Sequence, residues 1–262
     1  LIGKDIVRFH TIYWPAFLMS ADLPLPKHVF GHGFLLNRGQ KESKSLGNVT
    51  DPIELAEQYG VDTLRYFLMR ELSFGQDGSY SPEAIVRTAN ADLANSFGNL
   101  AQRTLSMIHK NMDGRIVRRE LQDVDRRLLG DVGKAACDYL PKSFADMRFH
   151  QGIEHWLQAV FACNQYVDEQ APWTLKKTDP ERMEAVLMTL FRAIRALAVA
   201  ISPVVPEAAA KLLAAMGQGD DIPGYDAIAD ESWFDALAEQ GFVLDKPNPI
   251  FPRLELPESA EA

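Results

Sequence analysis

From Ser81 to Gly217 the chain carries one amphipathic helix pattern after another, separated by only a few residues at each break. Ser81-Pro82-Glu83 supplies a capping hydroxyl, a proline at the first helical position and an acid in the first turn. The apolar period then runs to about Asn111, where Asp113-Gly114 stops it. Further helices are expected from Arg118 to Asp146, from Phe149 to Glu169 and from Pro180 to Ile201, with a last one after Ser202-Pro203 that ends near Gly217. Long helices of this kind joined by short loops predict an antiparallel bundle around one core.

Residues 1–78 have a different character. Lys4 to Met19 is apolar and helix-compatible, whereas His28 to Leu36 alternates and runs apolar like a strand pair. Asp51-Pro52-Ile53-Glu54 reads as a cap, a first-turn proline and an acid, opening a helix through Gln58 that Gly60 stops; a second is expected from Asp62 to Glu71. The Gly- and Ser-rich stretch at 73–79 is the expected boundary, with a mixed α/β unit over 1–78 and the helical unit over 79–217. Residues 218–262 are rich in glycine, proline and acids and predict an extended tail packed back on the body. Lys246 to Pro252 can be neither helix nor central strand.

Bulk composition excludes some classes. With 47% hydrophobic and 24% charged residues, the chain fits a soluble globular protein. Its longest apolar stretch, around Ala193 to Val205, is interrupted by Arg195, Ser202 and Pro203 and falls short of the roughly 20 residues that span a bilayer. Cys137 and Cys163 fit neither a Cys-x-x-Cys knuckle nor a disulfide framework and read as thiols of a reducing compartment. The formal charge of −9 argues against a general nucleic-acid coat. It leaves room for a local RNA surface, because unpaired bases are read by hydrogen bonds and stacking.

Lys41-Glu42-Ser43-Lys44-Ser45, followed by Leu46-Gly47-Asn48, concentrates ammonium groups and hydroxyls in one short loop. Transfer of an adenylyl group from ATP loads negative charge onto the pentavalent phosphorus and the departing pyrophosphate, which mobile lysines can stabilise. On residue types alone the stretch reads as a solvated turn before it reads as a clamp.

Together with Gly3-Lys4-Asp5-Ile6-Val7-Arg8-Phe9-His10 and Thr11 to Leu18, this loop resembles the class I aminoacyl-tRNA synthetases, the methionyl family in particular. The resemblance continues through Asn95 to Arg103, Asn164 to Trp173 and Pro249 to Arg253. It implies a mainly α chain: the C-terminal part of a Rossmann-like α/β catalytic domain followed by an antiparallel α-helical anticodon-binding bundle. The family's His-x-Gly-His signature is not present, since His32 sits in Gly31-His32-Gly33. The chain is therefore expected to be the C-terminal portion of a larger enzyme that activates methionine with ATP and esterifies tRNA(Met).

The resemblance also assigns roles. Lys41 and Lys44 would act in catalysis, with Asp5, Ser43 and Ser45 joining them around ATP and its Mg2+; Phe9 and His10 would line the methionine pocket. Asn99, Arg103 and Trp173 would read the anticodon. No zinc site is expected in this portion, the remaining partner is the N-terminal part of the same enzyme, no membrane is involved, and the location is cytoplasmic. Without the resemblance, Asp5 reads as a helix cap, His10 as a core histidine, the Asn95, Asn99, Arg103 stripe as a solvated face and Trp173 as a core anchor. Trp14, Trp156 and Trp233 are expected to be structural, and His28, His109, His150 and His155 show no ligand spacing. Glu42 stands where the family has methionine; as an exposed side chain screened over about 8–10 Å, it is expected to tune the loop without abolishing it.

Two other classes fit parts of the pattern. A stand-alone tRNA-binding module would leave the lysine loop without a task, and a different adenylyl transferase would leave Asn99, Arg103 and Trp173 without one. A synthetase for another hydrophobic amino acid is closer, and Phe9-His10 to Trp14-Pro15 favours methionine.

Overall fold

The computed structural model describes residues 1–42, 49–219 and 221–256. Strand β1 (Ile2–Gly3) pairs in parallel with β2 (Gly31–His32), and between them runs a helical segment. That segment is not the single α-helix its apolar pattern predicts. It begins as a 3-10 turn (Lys4–Ile6), passes through a π-helical stretch (Phe9–Tyr13) and becomes α-helical only in α1 (Trp14–Ser20). Strand β3 (Leu35–Asn37) turns through Arg38 and Gly39, both at positive φ, into β4 (Gln40–Lys41). Two left-handed residues in a two-residue hairpin match the twist of the flanking strands.

Asp51 accepts from the Ile53 amide at 2.8 Å and caps α2 (Pro52–Tyr59), with Pro52 in the first turn. Gly60, at φ 86°, ends α2 and admits α3 (Val61–Glu71). The chain then returns as β5 (Gly78–Tyr80), parallel to β3. Helices between parallel strands are the crossover expected of an α/β unit.

Ser81 caps α4 (Pro82–Thr88), which continues without a break through a π-helical stretch (Ala89–Gly98) into α5 (Asn99–Asn111). Asp113 and Gly114 leave it at positive φ. The next helix starts later than its pattern suggests, at α6 (Asp123–Gly133), because the Asp125 carboxylate accepts from the Gln122 amide at 2.8 Å and closes the turn there. It runs through a second π-helical stretch (Lys134–Tyr139) into α7 (Leu140–Ala145). Helix α8 (Phe149–Gln170) ends at Ala171, whose left-handed conformation redirects the chain into the short α9 (Pro172–Thr178). Asp179 caps α10 (Pro180–Ile201), and α11 (Pro206–Ala215) follows.

Helix α10 is apolar almost all round and buried almost all round, so it forms the axis of the bundle. Trp156 of α8 is fully buried against it, donating its indole N–H to the Leu197 carbonyl at 3.0 Å while Phe97 meets its ring edge-on at 5.0 Å. The part after Gly217 is not simply extended. It holds a 3-10 turn (Tyr225–Ile228) and the helix α12 (Ser232–Glu239), whose Phe234 and Leu237 are buried. Beyond α12 the chain does lie back on the body: Leu244 donates to the Gly114 carbonyl at 2.8 Å, Phe251 meets Phe97 at 6.3 Å, and Asn90 holds both backbone groups of Leu254.

Helix α3 joins the two halves. Asp62 accepts from the Ala208 amide at 2.7 Å and so caps α11, whose own preceding residue offers no side-chain cap. Arg65 donates to the carbonyls of Val204 and Pro203 beside it. The N-terminal part is otherwise open: among the described residues none of 1–58 is buried, and Phe9, Ile12, Phe17 and Met19 are all more than half exposed. Trp14, expected to be structural, is 43% exposed.

Candidate functional site

The first cluster forms where β1 meets β2. The Asp5 carboxylate folds back over Gly3, where a Cβ would fall 2.6 Å from Asp5 Oδ1. The same Cβ would touch the His32 ring, so Asp5 and His32 converge on one backbone position. Asp5 lies inside the first turn and not at the cap position, which Gly3 occupies. His32 was not marked by the sequence as a site residue; its strand pairing with Gly3 is what brings it in.

Phe9 and His10 lie on the π-helical turn of the same segment. The His10 Nδ1 lies 3.0 Å from the Ile6 carbonyl, which can only accept, so Nδ1 is the donor in this contact. His10 also meets Trp14 edge-on at 6.0 Å and is half-buried, while Phe9 is 59% exposed. These two side chains therefore border an open face and not an enclosed pocket among the described residues.

Lys41, at the end of β4, holds its ammonium 4.3 Å from the centre of the Phe34 ring. Lys4 approaches the same ring at 4.6 Å and is paired with Asp77 at 2.5 Å, so one aromatic ring gathers two cations. Asp77 also accepts from the Phe34 amide, and Gly33 packs so close to the Gln76 backbone that a Cβ would overlap its carbonyl oxygen at 2.0 Å. Lys4 escaped the sequence reading because only the fold of 31–41 places it there. Ser43, Lys44 and Ser45 lie outside the described residues.

Glu42 departs from expectation. Its carboxylate is half-buried and lies 2.5 Å from the Tyr80 hydroxyl, and it accepts from the Thr50 amide at 3.3 Å. Burial alone would raise its pKa, but the hydrogen bonds from Tyr80 and Thr50 outweigh that and hold it below the usual carboxylate range. The Tyr80 phenol is pushed up to about 12, by burial first and then by the Glu42 carboxylate.

The second cluster lies on the bundle. Asn99 is exposed at the start of α5, and Arg103 stands one turn along on the same face. The Arg103 guanidinium lies 5.8 Å from the centre of the Trp173 ring and 3.5 Å from the Asp168 carboxylate. Trp173 is 48% exposed at the second position of α9, so it is no core anchor. Asn95 belongs to the π-helical stretch, and with Asn99, Gln102 and Phe251 it lines a shallow hollow beside this face. Asp168 was not singled out by sequence; its place across from Arg103 reveals it.

The support of Trp173 is buried. Asp125, with no exposed surface, receives two hydrogen bonds from Arg182, at 2.5 and 2.7 Å, and one from the Tyr166 hydroxyl at 2.5 Å. Arg182 also donates to Gln170 at 2.7 Å, directly before the Ala171 turn that presents Trp173. Burial would raise the Asp125 pKa, yet the bonds from Arg182 and Tyr166 lower it on balance.

Among the described residues no group of three or more His, Cys, Asp and Glu side chains could hold a metal ion, and no helix is long and apolar enough to cross a membrane. Residues 1–105 match the family model described as tRNA synthetases class I (M), and residues 117–261 match that described as the anticodon binding domain of methionyl tRNA ligase. The methionine–tRNA ligase of Brucella melitensis is 50% identical over 258 residues, covering 97% of this chain and 48% of that protein. The Mycobacterium tuberculosis H37Rv ligase is 45% identical over 267 residues, covering 100% and 50%. The solved structure of the free M. tuberculosis methionyl-tRNA synthetase superimposes with a TM-score of 0.86 at 41% identity, over 98% of this chain and 50% of that one. Its complex with methionyl-adenylate gives 0.84 at 44%, over 96% and 49%. The chain spans about half the length of the curated relatives it matches.

Proposed function

Because the chain belongs to the methionyl-tRNA synthetase family, we propose that it supplies the C-terminal half of an enzyme that activates methionine with ATP and charges tRNA(Met). The working units are a catalytic part over 1–78, an anticodon-binding bundle over 79–217 and a tail over 218–262. In the first step the methionine carboxylate attacks the α-phosphorus of Mg2+-bound ATP; the new P–O bond forms as the bond to pyrophosphate breaks. A terminal hydroxyl of the tRNA then attacks the acyl carbon, and AMP leaves. No covalent bond to the protein is needed, so the residues contribute by positioning and by charge.

Within that scheme Lys41 and Lys44 stabilise the charge building on the phosphates, assisted by Ser43 and Ser45. Asp5 accepts from the ribose hydroxyls. Phe9 and His10 form one wall of the methionine pocket. The open apolar face of Phe9, Ile12, Phe17 and Met19 is where the N-terminal part of the enzyme would pack. Asn99, Arg103 and Trp173 read the anticodon, the indole as a stacking platform and the guanidinium and amide toward base edges. The proposed location is the cytoplasm.

The observation that carries this reading most directly is the half-exposed Trp173, within the stretch that matches the anticodon-binding domain model, lying against Arg103 of helix α5. Titration of the chain with tRNA(Met) and with an anticodon-swapped transcript at fixed salt tests it. Weaker binding of the swapped transcript, and of both by Trp173→Ala, is the expected outcome. Equal binding of both transcripts, unchanged by the substitution, would reduce the interaction to generic charge attraction and overturn it.

A further inference from the structure

Glu42 and Thr50 stand on either side of residues 43–49, and both end on one buried side chain. Tyr80, at the end of β5, is 5% exposed and its ring is fixed in a small core with Tyr59, Phe67, Ile85 and Val86. Its hydroxyl meets the Glu42 carboxylate at 2.5 Å and the Thr50 hydroxyl. The Asn37 amide donates to that Thr50 hydroxyl at 3.1 Å, and the Thr50 amide donates to Glu42. A carboxylate can only accept and an amide NH2 can only donate, so Asn37 begins the network and Glu42 ends it, with the Thr50 and Tyr80 hydroxyls linking them.

We propose that Glu42 and Tyr80 are positioning residues for the lysine segment, forming a knot that pins both of its ends to strand β5. This rests on the reading of that segment as the phosphate clamp. Glu42 is then turned away to donors on Tyr80 and Thr50 and keeps its carboxylate engaged there. Methionine at this position would carry no acceptor of comparable strength for Tyr80. The pinned ends matter because a charged group displaced by about 1 Å loses much of its effect on a transition state.

Tyr80→Phe removes the hydroxyl, keeps the ring in its core and leaves residues 41–50 unaltered. Trypsin cleavage after Lys44, followed by mass spectrometry on the chain, reports directly on the ends of the segment. Cleavage about tenfold faster in Tyr80→Phe than in the parent is expected if the knot holds them. In the whole enzyme that carries this half, ATP–pyrophosphate exchange should lose about tenfold in kcat for Tyr80→Phe and Glu42→Ala, with KM for methionine unchanged. Glu42→Gln, which still accepts from Tyr80, should stay within about twofold of the parent.

Unchanged cleavage and unchanged kcat in Tyr80→Phe would overturn the proposal. So would a loss of activity that merely follows a loss of folded protein, read from thermal unfolding. Absence of exchange in the unaltered enzyme would instead sink the clamp reading, while the cleavage rates would still decide whether the knot exists.

Discussion

The Arg103 guanidinium of helix α5 lies over the Trp173 indole of α9, 5.8 Å from its centre, and reaches the Asp168 carboxylate of α8 at 3.5 Å. The ion pair is exposed and by itself contributes little. Its consequence is geometric, because it holds a planar cation beside a half-exposed aromatic ring.

Arg103 and Trp173 should therefore act as a unit. Each alanine substitution should weaken tRNA(Met) binding by about 1–3 kcal/mol, as expected for loss of one stacked or bidentate contact. The double variant should lose less than the sum, measured by titration at one salt concentration. Strict additivity would show that the two side chains serve the RNA independently.

Arg182→Met should destabilise the bundle by about 3–5 kcal/mol, because it strands the Asp125 carboxylate in a site with no exposed surface. Urea unfolding monitored by far-UV circular dichroism reads this as a fall in midpoint. Asp125→Leu combined with Arg182→Met should recover much of the loss, since the penalty comes from the unpaired charge. A single-variant loss under about 1 kcal/mol would mean that the pair is already solvated.

The same pair sets an acid limit. The folded Asp125 pKa is depressed by Arg182 and Tyr166 against the effect of burial, so the carboxylate contributes stability that is fully present above its unfolded pKa of about 4. That contribution is lost as pH falls through the lower folded value. The gap in thermal midpoint between the parent and Asp125→Asn should be constant from pH 5 to 7 and should narrow below about pH 4. A gap that widens on acidification would contradict this assignment.

The thiols should react in sequence. Cys163 is fully buried and its pKa is pushed up to about 12, while Cys137 is half-buried and raised by burial and by Asp138. A disulfide reagent at pH 8 should modify Cys137 slowly in the native protein and Cys163 only on unfolding. Simultaneous modification of both would show that α8 opens locally.

Much of the fold was legible because its signals are local. Asp51 and Ser81 announce helices with a side-chain acceptor next to a proline, and each caps its helix in the structure. Gly60 and Asp113-Gly114 end helices through backbone conformations that few residues adopt readily. The π-helical stretches at 9–13, 89–98 and 134–139 were not legible, since an apolar period of 3.6 barely changes when one turn widens. Helix α12 was hidden by the glycines and prolines around it; its stability comes from burying Phe234 and Leu237 against the bundle.

Sequence by itself determined the order of the main bundle helices and the lysine segment, because caps, periods and motifs depend on neighbours along the chain, and its resemblance to the family marked Asn99, Arg103 and Trp173 as candidates. Only tertiary structure decided that Asp168 joins Arg103, that His32 joins Asp5 at Gly3, that Lys4 joins Lys41 on Phe34, and that Glu42 is tied to Tyr80. A side chain's charge is written in the sequence. The group that satisfies it is chosen by packing, which brings together residues far apart in the chain, and no local pattern encodes that choice.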